Sequence, residues 1–325
     1  ALPEYQKALV PELEDRDILP ATLAPELING LLKGKLGFNG LVLTDASHML
    51  GMTAAMRREE YVPQAIAAGC DMFLFFNNID EDYNFMLNGY KNGIITEERL
   101  QDALERILGF KATLGLHKAQ KDGSIFRTEE DLKVIGCEDH IERAKQAVDK
   151  GITLVKNTLD QLPIRPETHK RIRLYYLEGE KGGLLGDSDS LQTIVKELES
   201  RGFEVTVNDG NTRVKGPTLK YREEVDAALV FSNVVGYGAE NNYRIKWKMA
   251  MSNEVPWYVH EVPTVFVSLN YTTHLTDVPM VKCYINAYKD TEITIKAVVD
   301  KIMGESEFHG TPNELVWCNK WDTRL

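Results

Sequence analysis

The sequence contains no run approaching the roughly 18 consecutive apolar residues of a membrane-spanning helix, so nothing in it reads as a span. It also lacks basic charge. With 38 Lys+Arg against 49 Asp+Glu the formal charge is −11 at pH 7, the wrong sign for displacing counterions from nucleic-acid phosphates. Cysteine is sparse: Cys70, Cys137, Cys283 and Cys318 stand far apart. That spacing suits neither a zinc site nor a disulfide framework, and it favours a cytoplasmic setting. The four read as separate thiols, mostly buried. No H-E-x-x-H motif marks a metal site. The Gly-rich stretch Glu178–Gly183 fits neither G-x-G-x-x-G nor G-x-x-x-x-G-K-[ST], so nucleotide binding finds no support. Internal repeats and low-complexity segments are absent. The opening ALPEYQKALVPELEDRD has neither the basic start nor the apolar run of a signal peptide. It begins at Ala1 and not at Met, as a processed product or a fragment would.

What is present describes a chain able to bury a core. Hydrophobic residues make up 43% and charged residues 27% of 325, enough for one large α/β domain or two ordinary ones. Pro25 and Glu26 open a helical pattern carried by Ile28, Leu31 and Leu32. Gly40–Thr44 is an unbroken apolar run, as in a strand buried on both faces. A helix is expected over Val62–Ala68 with Pro63 in its first turn, then a second buried strand, Asp71–Phe76. Helices follow at Asp80–Asn92 and Thr96–Leu114. This βαβα order predicts a parallel sheet. Residues 1–117 are too few for a whole (β/α)8 barrel of about 250 residues, and they look like its carboxyl-terminal part. Residues 118–137 read as a polar linker. Residues 138–325 form a second α/β unit: helix Glu138–Lys150, strands at Ile152–Lys156, Arg171–Leu177, Phe203–Val207, Ala227–Val235, Thr264–Leu269 and Val281–Ile285, and helices Ser190–Arg201 and Thr291–Met303.

Asp45 stands directly after the first apolar run, where α/β folds collect reactive groups; a capping Asp would sit there too. Its surroundings, GLLKGKLGFNGLVLTDASHM, resemble the nucleophile segment of glycoside hydrolase family 3, a helix followed by G-F-x-G-L-V-x-(S/T)-D. The stretches PATLAPEL, AIAAGCDMFLFF, NGIITEERLQDALERILGFKATLGL, AKQAVDKGITLVKNTLDQLPI and INAYKDTEITIKAVVDKIMGESEFHGTPN resemble further family segments in order. The resemblance implies the end of a (β/α)8 barrel followed by an α/β-sandwich domain with a flavodoxin-like, mostly parallel sheet. It implies Asp45 as nucleophile, a covalent glycosyl-Asp intermediate and retention of configuration. The T-D-A-x-x-M form is more like the β-N-acetylhexosaminidase branch than the β-glucosidase branch, where Trp usually follows the Asp. No cofactor and no metal are implied, and the partner is a carbohydrate substrate.

Retaining hydrolysis also needs an acid for the leaving oxygen. The hexosaminidase branch takes it from a His–Asp pair after a K-H-F-P-G-type segment, which this sequence lacks. The acid is therefore expected outside the chain, and the chain alone is expected to be inactive. Glu240, in VVGYGAENNYR, is the internal candidate, since the glucosidase branch takes a Glu from a second-domain loop; a surface Glu is the plain alternative. His48 and Met49 are candidates for touching the sugar, against a solvated His and a core Met. Asn270–His274 and the residues Trp247, Trp257, Trp317 and Trp321 could contact a sugar or serve only as a turn and as packing. Open strand edges would require the preceding barrel segment or self-association to cover them.

Overall fold

The computed structural model describes residues 2–179, 189–210, 218–234, 244–248 and 254–317. The chain divides into two compact units, Ala1–Leu132 and Lys133–Leu325. The boundary falls within the stretch expected as a linker, which carries two short helices.

The first unit is mainly helical. Its helices are α1 (Pro3–Leu9), a π-helix (Glu26–Lys35), α2 (Leu50–Thr53), α3 (Arg58–Ala67), α4 (Ile79–Lys91), α5 (Glu97–Thr113), α6 (Leu116–Asp122) and α7 (Glu129–Leu132). Side-chain caps fix the two long ones: Asn78 accepts from the Glu81 amide at 3.0 Å and Thr96 from the Arg99 amide at 3.1 Å. Helix α3 starts four residues before the expected Val62, so Pro63 lies inside it and not in its first turn. Gly89 of α4 faces that proline; a Cβ there would stand 2.2 Å from Pro63 Cβ. Leu23, Met52, Tyr61, Val62 and Ala65 form the main core, and Ile28, Ala68 and Cys70 a smaller one beside Val42.

The two expected strands are a correction. Residues 40–44 and 71–76 run side by side, but one parallel bridge, Leu43 with Met72, is all that pairs them. The amides of Asp71 and Thr44 donate to Val42 and Met72 carbonyls at 2.7 and 3.1 Å. Leu43, Phe75 and Phe76 are 51%, 59% and 59% exposed, so the segments are not buried on both faces. Among the described residues each has a neighbour along one edge, too little to propagate a ladder.

The second unit is built on a six-stranded sheet of order β1-β6-β5-β4-β2-β3. Its strands are β1 (Thr153–Asn157), β2 (Arg171–Glu178), β3 (Glu204–Val207), β4 (Ala227–Asn233), β5 (Thr264–Ser268) and β6 (Cys283–Asn286). Strand β1 is antiparallel to β6, and the other pairs are parallel. Without β1, the order β3-β2-β4-β5-β6 is the flavodoxin-like doubly wound order, with its switch point between β2 and β4. Helices α8 (Glu138–Gly151), α9 (Ser190–Ser200) and α11 (Glu292–Met303) accompany the sheet, as does α10 (Thr218–Glu224), which the sequence pattern did not suggest. Ile194, Leu198, Ile295, Val298 and Phe231 fill one face of the sheet. Tyr175, Val230, Tyr258, Phe266 and Tyr284 fill the other. Gly304, at φ +74°, ends α11 in the left-handed conformation that favours glycine.

Candidate active site

Asp45 follows the first apolar segment on a loop that leads into α2. Its side chain is exposed, and one carboxylate oxygen accepts from the adjacent Ala46 amide at 2.7 Å. His48 and Met49 lie on the same loop, both exposed, with Met49 at 50%. Beneath the loop two short side chains are buried. Thr44 Oγ1 accepts from the Leu74 amide at 2.8 Å, and the Ser47 hydroxyl donates to the Phe75 carbonyl. The loop after the first segment is thus bonded to the end of the second segment.

An ion pair between half-buried Arg58 and buried Asp82 stands behind both loops. Arg58, at the start of α3, donates through Nε and Nη2 to the two carboxylate oxygens of Asp82 at 2.7 and 2.6 Å. Nη1 donates to the Tyr61 hydroxyl at 2.6 Å and Nη2 also to Ser47 Oγ at 3.0 Å. The Asp82 carboxylate accepts the Asn77 amide as well, at 2.9 Å. The hydrogen bonds to Asp82 raise the Arg58 pKa above its already high value, so the guanidinium is charged at every accessible pH.

A second network lies at the other end of the two segments. The fully buried Asp71 carboxylate accepts the Val42 amide at 2.8 Å, the Lys33 ammonium at 3.2 Å and the Arg99 guanidinium. Asp102 bonds Arg99 and Arg106. Burial opposes its charge, but Arg106, Arg99 and Lys33 together hold its carboxyl below the usual range. This network joins the π-helix and α5 to the start of both segments, opposite in strand direction from Asp45. A cleft of about 370 Å³ lies beside it, lined by Asn39, Gly40, Leu41 and the Asp102–Thr113 side of α5. A cleft of about 500 Å³ in the second unit runs between Leu159–Pro163, His169 and Val259–Pro263. Neither is lined by Asp45, His48 or Met49.

Residues 6–110 match the family model described as the glycosyl hydrolase family 3 N terminal domain. Over this segment the chain is similar to glycosyl hydrolase family 3. Over 329 residues it is 39% identical to a "Beta-N-acetylglucosaminidase/beta-glucosidase" of Cellulomonas fimi, covering 100% of this chain and 58% of that protein. Among solved structures, "Beta-glucoside phosphorylase BglX bound to 2FGlc" superposes with a TM-score of 0.85 at 34% identity over 95% of this chain and 55% of that one. The beta-glucosidase of Listeria innocua in complex with isofagomine superposes at 0.68 with 18% identity, over 94% of this chain and 46% of that one, a likeness of fold alone. The chain therefore spans just over half the length of the first two of these relatives.

Of the residues singled out from the sequence, Asp45, His48 and Met49 share one loop. Glu240 lies outside the described residues, as do Cys318, Trp321 and the Trp317 side chain. Trp247 and Trp257 pack, half-buried, against the second core face. The Asn270–His274 stretch is more than a turn: buried His274 Nδ1 is 2.8 Å from Ser268 Oγ and 3.3 Å from Ser232 Oγ, and Asn270 donates to Asn233. Cys70 and Cys283 are buried, and burial pushes their thiols up to about 11 and about 12, so both stay protonated and inert. Cys137 is half-buried. Among the described residues no three His, Cys, Asp or Glu side chains group as metal ligands, and no helix is long and apolar enough to cross a membrane. Sequence reasoning missed Ser47, Arg58 and Asp82 as site residues. Arg58 and Asp82 are 24 positions apart, and no local pattern links them.

Proposed function

We propose that the chain carries the nucleophile of a retaining enzyme acting on terminal β-linked N-acetylhexosamine. A carboxylate oxygen of Asp45 attacks the anomeric carbon while the bond to the leaving oxygen breaks and that oxygen takes a proton from an acid group. The resulting glycosyl ester is cleaved when water adds to the same carbon, losing its proton to the same group, and the carboxylate is restored with net retention. The observation that carries this reading is the solvent-exposed Asp45 on a loop tied down by buried hydrogen bonds. An accessible carboxylate can approach a sugar carbon, and a carboxylate charge there offsets that of an oxocarbenium-like transition state.

The acid/base is read as coming from outside this chain, as in the hexosaminidase branch; a β-glucosidase-like enzyme using Glu240 is the alternative. Exposed Leu43, Phe75 and Phe76 support the idea that further barrel strands pack beside these segments. A non-catalytic sugar-binding or assembly role would instead leave Asp45 without a chemical task. A different acceptor is favoured by one observation: solved structures at 34% and 33% identity are described as a β-glucoside phosphorylase. There a phosphate oxygen would take the place of water at the glycosyl-Asp carbon, giving a glycosyl phosphate.

In the natural protein that carries this chain, Asp45→Asn is expected to lower turnover of aryl β-N-acetylglucosaminides by about 10⁴-fold, with thermal unfolding unchanged. Retention of more than a tenth of the activity would sink the nucleophile reading. Product analysis with and without inorganic phosphate decides the acceptor: free sugar in both conditions means hydrolysis, and sugar phosphate in its presence means phosphorolysis.

A further inference from the structure

We infer that Ser47, Arg58 and Asp82 form a positioning device for the loop that carries Asp45, an inference that rests on the reading of Asp45 as nucleophile. One guanidinium reaches three elements. It grips Asp82 of α4 with two parallel bonds at 2.7 and 2.6 Å, Tyr61 of its own helix at 2.6 Å, and Ser47, two residues after Asp45, at 3.0 Å. Ser47 is wholly buried and passes its own hydrogen to the Phe75 carbonyl. Phe75 sits at φ +55°, a left-handed conformation rare for a non-glycine residue, so its carbonyl is held in a turned position. Asp82 closes the circuit by accepting the Asn77 amide at 2.9 Å. Both loops that emerge from the two segments are therefore referenced to one buried point.

An arginine fits this task because its planar fork supplies five donors in fixed directions, which an ammonium cannot reproduce. A buried ion pair is weak evidence of stability in itself, since apolar replacements often serve as well. What the apolar replacement would lose is direction. The Asp71 network, by contrast, bonds only the entry ends of the segments and leaves the Asp45 loop untouched.

The test uses the natural protein that carries this chain and two slow glycosyl donors, 2-deoxy-2-fluoroglucosyl fluoride and 5-fluoro-N-acetylglucosaminyl fluoride. Fluorine slows both steps, and the fluoride leaving group keeps the first one feasible without an acid. Labelling of Asp45 is followed by intact mass and peptide mapping, and mobility of residues 46–49 by amide hydrogen exchange. Ser47→Ala, which keeps the Arg58–Asp82 pair, is expected to slow Asp45 labelling about 10- to 100-fold with the melting temperature unchanged, and to speed exchange at 46–49. Ser47→Thr, which keeps the hydroxyl, is expected to recover most of the rate. Arg58→Lys is expected to lose as much as Arg58→Met. Parental labelling rates in Ser47→Ala and Arg58→Lys, with Asp45 labelled normally, would overturn the positioning role alone. If Asp45 of the parent protein takes no label from either donor, the nucleophile reading falls, and faster exchange in Ser47→Ala would then show a loop tie without a catalytic purpose.

Discussion

Two segments with almost the same local pattern end up in opposite surroundings. GLVLTD in the first unit and AALVFSN in the second are both short, unbroken apolar runs closed by a polar residue. The second becomes β4, buried at every position. It has β2 on one edge, β5 on the other, and a packed cluster on each face. The first forms one bridge and leaves Leu43 half in solvent. An apolar run states what a segment can tolerate; whether it is buried depends on neighbours that the run does not encode. The two units also differ in what holds them. Apolar clusters on both sheet faces hold the second, and the first relies to a larger extent on charged hydrogen-bond networks around Asp71 and Arg58.

The sharpest way to break this comparison is to remove one side chain from each run. Phe231→Ala in β4 is expected to destabilise the second unit by about 3–5 kcal/mol, through lost burial and the cavity left behind. All four tryptophans lie in that unit, so their fluorescence in a urea titration reports on it alone. Leu43→Ala is expected to change the first unit by less than about 0.5 kcal/mol, read by hydrogen exchange at the Val42 and Asp71 amides. A loss above about 2 kcal/mol would mean that Leu43 is covered in solution, by a second copy or by other chain.

The polar half of the comparison is tested by two carboxylates. Asp71→Asn leaves Lys33 and Arg99 beside an uncharged amide in a dry site, and is expected to cost about 3 kcal/mol. Asp226, paired with Arg171 at the start of β2 where both side chains keep partial solvent access, serves as the control. Its carboxyl is held below the usual range by the Arg171 hydrogen bond, yet Asp226→Asn is expected to cost less than about 1 kcal/mol because water screens the pair. Equal losses at the two positions would erase the distinction between the units.

The legibility of the sequence divides along the same line. Strands β2, β4 and β5 and helices α4, α5, α9 and α11 lie within about two residues of their expected positions, because each carries its own periodicity, cap or terminating glycine. Strand β6 starts at Cys283, two residues after the expected Val281, since pairing and not hydrophobicity sets where a strand begins. Helix α3 ran backwards past Pro63 because the Glu60 carboxylate accepts the Arg57 amide at 3.1 Å and starts the helix early. At the candidate site, Asp45 was legible from its place after an apolar run and from family resemblance. Ser47 was printed in the same motif but carried no signal, since a buried hydroxyl and a solvated one look alike in sequence. Arg58 and Asp82 meet only once α3 and α4 pack together, at the contact where Gly89 admits Pro63.

The remaining expected effect concerns a charge that the apolar second unit buries. Lys156 of β1 is buried, and its ammonium donates to the Pro279 carbonyl at 2.8 Å. Burial, helped by the nearby Lys282, brings its pKa down to about 8, against about 10.4 for a lysine in an unfolded chain. Between these two values the unfolded chain binds more protons than the folded one. Stability linked to Lys156 therefore rises as pH increases from about 8 to about 10.4, by roughly 1–3 kcal/mol over the whole window. Lys156→Met removes this component and leaves every other titrating group in place. Urea unfolding followed by tryptophan fluorescence at pH 7.5, 9 and 10 should show the parent gaining on the variant at each step. Parallel pH dependences would mean that the folded chain keeps Lys156 solvated, and the second unit would then be less completely sealed at its antiparallel edge than its apolar clusters imply.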